Sequence, residues 1–98
     1  MDSNSNRKGW QYSKQFEVSQ KKIEPDCRSF DEMIDAVLDS ISRAPSIYPF
    51  VIKSDNLQVC KTKVPNNKDE VKHLSIFFID KTETILLVDI IEQATNNE

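Results

Sequence analysis

The chain has 98 residues, with 16 Asp and Glu against 13 Lys and Arg, a formal net charge of -3. That length fits one domain and excludes an enzyme with separate cofactor and substrate domains. A composition of 38% hydrophobic and 30% charged residues is that of a globular domain, and the acidic surplus argues against strong non-specific nucleic-acid binding while leaving room for a local basic patch.

Residues 1–9 and 93–98 have no periodicity or apolar anchor and are expected to be flexible tails around one domain at 10–92. Residues 10–18, WQYSKQFEV, alternate Trp10, Tyr12, Phe16 and Val18 with polar positions, which predicts a half-buried strand interrupted at Lys14. Residues 20–28 carry one apolar anchor, Ile23, and a proline, and are expected to be a connection. Residues 29–43 give the clearest pattern. Phe30, Met33, Ile34, Val37, Leu38 and Ile41 fall on one helical stripe, Ser29 and Glu32 have capping-box spacing, and Pro45 stops the helix. Asp31, Asp35 and Asp39 form a row on the other face. Such a row is a solvated face or a recognition face for a basic partner, and it repels phosphate.

Tyr48, Phe50 and Ile52 in the proline-marked segment that follows are expected to pack over the helix end. Residues 57–64 read as a strand in which Leu57 and Val59 share a face with Lys61 and Lys63. A turn at 65–67 leads to a strand at 73–79, a four-residue hairpin turn at 80–83 and a last strand at 84–92. The last two strands are apolar on both faces, which places them centrally and covered on both sides. One helix covers one face, so the N-terminal segment, the Tyr48 region or a partner chain must cover the other. Asp89, a charge in an apolar strand, must face solvent, find a partner or carry a raised pKa. The expected class is α+β, a small antiparallel sheet of about four strands packed by one main amphipathic helix.

Several chemistries are excluded by what the motifs lack. Gly9 is the single glycine, so no glycine-rich phosphate loop exists, and HExxH, GxSxG and CxxC are absent. Cys27, Cys60 and His73 are too few for a four-ligand zinc site, so no metal or cofactor is expected. No run approaches the roughly 18 apolar residues of a membrane helix. Residues 1–8 carry no apolar signal region, and a cytoplasmic location is expected.

Three passages, ISRAPSIYPFV, the strand around Val59-Cys60-Lys61 and HLSIFFIDKTETILLVDII, resemble the RelE/ParE toxin superfamily of bacterial toxin-antitoxin modules. The likeness runs over residues 10–92 by element order and length. It implies a small antiparallel sheet backed by helix, and a small antitoxin as partner; the uncovered apolar face of the sheet separately admits a second copy as partner. The resemblance also implies messenger RNA cleavage on the ribosome in one branch and inhibition of gyrase in the other. RNA cleavage requires a base for the 2′-hydroxyl, positive charge at the phosphate and a proton for the leaving oxygen. Lys61 and Lys63 fall where the family places basic residues, and His73 is the only imidazole. The chain has Leu74 and Ser75 where the family often has arginine, and Glu92-Gln93 where it often closes with His-Arg. A second class of function therefore stands beside the toxin: a non-catalytic interaction domain that binds protein through the sheet or the Asp31, Asp35 and Asp39 row.

Overall fold

At Ser13 the apolar alternation of residues 10–18 gives way to a helix. The computed structural model describes residues 9–93; the expected tails lie largely outside them, although Gly9 belongs to the first strand. That strand, β1 (Gly9–Tyr12), ends at Ser13, and α1 (Lys14–Ile23) begins. The strand expected over 10–18 is thus confined to its first residues. Ser13 Oγ accepts from the Phe16 N–H at 2.9 Å and donates to the Val88 carbonyl at 2.6 Å, so one side chain caps α1 and fastens it to the sheet. Tyr12 and Phe16 satisfy helical i,i+4 spacing as well as alternation, and their ring centroids lie 5.5 Å apart. Lys14, Gln15, Glu17, Gln20, Lys21 and Lys22 are good helix formers and settle the choice. Residues expected as a connection complete α1 and a 3-10 turn over Glu24–Asp26. Ser13→Ala is expected to destabilise the fold by about 1–2 kcal/mol, measured by urea unfolding, through the lost cap and the orphaned carbonyl.

The second helix, α2 (Phe30–Arg43), follows the predicted stripe and buries Phe30, Val37, Leu38 and Ile41. Its expected capping box is not formed. Ser29 has φ 58° and ψ 36°, and its side chain makes no cap hydrogen bond. A capping serine needs extended backbone. Here the chain leaves a bridge between Cys27 and Asn66 and turns left-handed at Ser29 to enter the helix.

Four more strands complete the fold: β2 (Phe50–Ile52), β3 (Leu57–Pro65), β4 (Val71–Asp80) and β5 (Thr84–Glu92). The sheet order is β1-β5-β4-β3-β2, with β1 parallel to β5 and every other pair antiparallel. The class is α+β, with five strands and two α-helices among the described residues. Asn66 makes the β3–β4 turn by accepting from the Lys68 and Glu70 N–H groups through its side chain, at 2.7 and 2.9 Å. Asp80 makes the β4–β5 turn by accepting from the Thr82 N–H at 3.1 Å. Buried Gln58 donates to the Pro45 and Tyr48 carbonyls at 2.7 and 3.0 Å, which holds the proline-marked segment against β3. Tyr48 then packs edge-on to Phe78 at 5.7 Å, but Phe50 and Ile52, expected over the helix end, are exposed on β2.

Both helices lie on one face of the sheet. Phe16 of α1 and the α2 stripe share a core with Cys60, Val64, Leu74, Ile76, Phe78, Ile85, Leu87 and Ile90, which the strand register places on that face. Trp10 and Tyr48 pack against the same core. Trp10 and the Tyr48 region therefore do not cover the second face, and no described helix does. Asp89 finds a partner, accepting from Ser19 Oγ of α1 at 2.6 Å.

Lys72 closes the rim of the core. Its side chain is 9% exposed and its Nζ reaches Glu92 at 3.0 Å and Asp26 at 3.4 Å. Glu92, and then Asp26, hold the Lys72 ammonium above the ordinary lysine range, against the opposing effect of burial. A raised lysine pKa contributes stability below the unfolded value that is lost as pH rises through the folded one. Lys72→Met is expected to cost about 1 kcal/mol near neutral pH. Chemical denaturation at stepped pH should show that difference fading only above about 10.5, the ordinary lysine value.

Candidate functional site

The open face of the sheet gathers the three residues singled out for phosphate chemistry. Alternation along β3 puts Val59, Lys61 and Lys63 on this face, and the β3–β4 register sets Val59 opposite Phe77, Lys61 opposite Ser75 and Lys63 opposite His73. The Val59 N–H points to Pro49 on the outer side of β3, and the His73 carbonyl accepts from Gln93 on the β5 side. Lys63 and His73 are thus a non-hydrogen-bonded antiparallel pair. Such pairs bring Cα atoms to about 4.5 Å and side chains into close proximity.

Lys61, Thr62, Lys63 and His73 line one open cleft of about 420 Å³. Among the described residues no carboxylate lines it. Among the described residues neither lysine makes a salt bridge, so both ammonium groups are available to an anion. Beside the cleft the face turns apolar, with Leu57, Val59, Phe77 and Ile79 in facing pairs. The surface therefore has a cationic end and an apolar end.

The Asp31, Asp35 and Asp39 row lies elsewhere, on the helical layer. Asp31 and Asp35 line a groove of about 510 Å³ between α1 and α2, with Tyr12, Glu17, Gln20 and Ile34. Asp39 pairs with Arg43 at 3.0 Å. The structure brings Lys61, Lys63 and His73 together and sets the aspartates apart from them.

The remaining reactive groups are quiet. Burial pushes the Cys60 and Cys27 thiols above the ordinary cysteine value, which disfavours the reactive thiolate. Burial likewise raises Tyr48, so its phenol stays protonated well above neutral pH. Among the described residues no group of three His, Cys, Asp or Glu stands ready to hold a metal ion, and no helix is long and apolar enough to cross a membrane.

No protein-family profile matches the chain, and no curated protein or solved structure is significantly similar to it. The site is therefore read from its own geometry.

One feature had no separate signal in the sequence. A second groove, of about 430 Å³, runs between α2 and β3, lined by Met33, Ala36, Val37, Ser40 and Tyr48 opposite Cys60 to Lys63. It exists because β2 pairs with β3 only at Gln58 and Leu57.

Proposed function

We propose that this chain is a RelE/ParE-like toxin that acts on RNA through the open face of its sheet. The observation that carries this reading is the convergence of Lys61, Lys63 and His73 on one cleft with no carboxylate among its described lining residues. Two lysines on one face, with Cα atoms about 7 Å apart along a strand, suit a phosphodiester backbone. In this reading His73 takes the 2′-hydroxyl proton. The lysines neutralise the charge that builds on the phosphate, and the 5′-oxygen leaves with a proton from one lysine ammonium. The family resemblance implies a first strand, a helix, a proline-marked link and closing antiparallel strands, and the element order agrees except that two helices stand in place of one. An acidic chain with a small cationic patch fits a target met at a defined place, such as messenger RNA on the ribosome, better than free RNA.

A second reading rests on a separate observation. The apolar end of the same face, with Phe77 and Ile79 half-buried and Val59 buried, has no described helix over it. That favours a protein-binding domain that inhibits or assembles with a protein target, without catalysis.

Induced expression in bacterial cells separates the two. On the RNA reading, the native chain arrests growth and translation, and Lys61→Ala/Lys63→Ala, folded by circular dichroism, does not. Arrest by both chains supports a protein target. No arrest by soluble, folded native chain leaves only the interaction domain.

A further inference from the structure

The outer edge of β3 has a gap in its hydrogen bonding that is bounded at both ends. The Val59 N–H is taken by the Pro49 carbonyl at 3.1 Å, and the Pro65 carbonyl accepts from the Arg28 N–H at 2.9 Å. Main-chain polarity alternates along a strand, so the N–H and C=O groups of Lys61 and Lys63 point to the same outer side. No backbone group among the described residues reaches them. The groove between α2 and β3 opens beside this edge.

We propose that this edge and groove form a docking slot for an extended, acidic peptide segment of a partner protein, which adds to β3 as a further strand. Unpaired edge groups are a template for such addition, and they fix an extended backbone as the guest. The side chains fix its pattern. Guest residues set opposite Lys61 and Lys63 share the open face with two ammonium groups that have no salt bridge among the described residues, so these positions take Asp or Glu. The alternate guest residues point toward Met33, Ala36 and Val37 of α2, so these positions take small or medium apolar residues. The guest is thus an alternating acidic and apolar segment that spans the distance from Val59 to Pro65. A second copy of this chain is a poor occupant, because antiparallel pairing of two β3 edges sets lysine against lysine. The slot shares Lys61 and Lys63 with the cleft proposed above, but its test reads peptide binding and amide exchange and does not depend on toxicity.

The probe is a blocked peptide alternating glutamate and valine, long enough to span Val59 to Pro65. Two controls are the same peptide with lysine for glutamate, and one with every second backbone nitrogen methylated. Binding is followed by amide hydrogen exchange and chemical shifts of the full chain. Saturable binding of the acidic peptide is expected, with exchange of the Lys61 and Lys63 amides slowed at least tenfold, on the order of one cross-strand hydrogen bond. Ala36→Trp, at an exposed position on α2 that walls the groove, is expected to weaken binding without unfolding the chain. Lys61→Glu/Lys63→Glu is expected to weaken it at least about tenfold. The proposal is overturned by no saturable binding at roughly 1 mM peptide, the weak end of specific affinity. Equal binding of the methylated or lysine peptide also overturns it, as does binding that leaves exchange at Lys61 and Lys63 unchanged.

Discussion

Phe78→Ala is expected to cost about 3–5 kcal/mol and to leave a population of unfolded chain at ambient temperature. Phe78 is fully buried on β4, and its ring meets Tyr48 edge-on at 5.7 Å with the planes at 86°. It therefore joins the sheet to the proline-marked link as well as to the helices. Truncation opens a cavity that stiff strands on either side cannot close, and it removes the aromatic contact. For a domain of this size such a loss lowers the melting temperature by roughly 12 °C or more. The same truncation at exposed Phe50 is expected to change stability by no more than about 0.5 kcal/mol. Urea unfolding of the two variants checks the contrast. Equal effects would mean that β2 packs against something that this arrangement leaves out.

On the proposed RNA reading, His73→Ala is expected to lower cleavage by about 10²–10⁴-fold, the range that one positioned general base supplies. The side chain is exposed on β4, so the loss should come without unfolding. His73 sits opposite Lys63, and its carbonyl, which accepts from Gln93, is unaffected by the substitution. A merely structural role would leave cleavage near the native rate. Lys63→Ala is expected to act differently. It weakens contact with the phosphate and makes binding less sensitive to salt, as loss of one counterion-releasing contact should.

The parts of the fold that were legible share one property: their pattern satisfies a single period. Six apolar residues from Phe30 to Ile41 fit only a helix, and β5 was bounded at Thr84 and Glu92 by its turn and its polar end. The segment from Trp10 to Val18 fits two periods. Alternation and i,i+4 spacing agree at Tyr12 and Phe16, and only Ser13 and the run of helix-forming polar residues separate them. β2 is three exposed residues whose place comes from Gln58 holding the link, a tertiary cause with no local pattern. The same holds for the site. The shared face of Lys61 and Lys63 follows from alternation. Setting His73 opposite Lys63 depends on the length of the Asn66–Glu70 turn, since a one-residue slip would send His73 to the other face. The free edge of β3 depends on where β2 stops pairing.

The proposed RNA cleavage by the cleft of Lys61, Lys63 and His73 is tested most directly by mapping messenger RNA 5′ ends in bacterial cells after induction, for the native chain and for His73→Ala. New 5′ ends within coding regions for the native chain, reduced at least tenfold in the variant at equal protein level, are the expected result. Growth arrest by the native chain with no new 5′ ends, or with the same ends in His73→Ala, would contradict it.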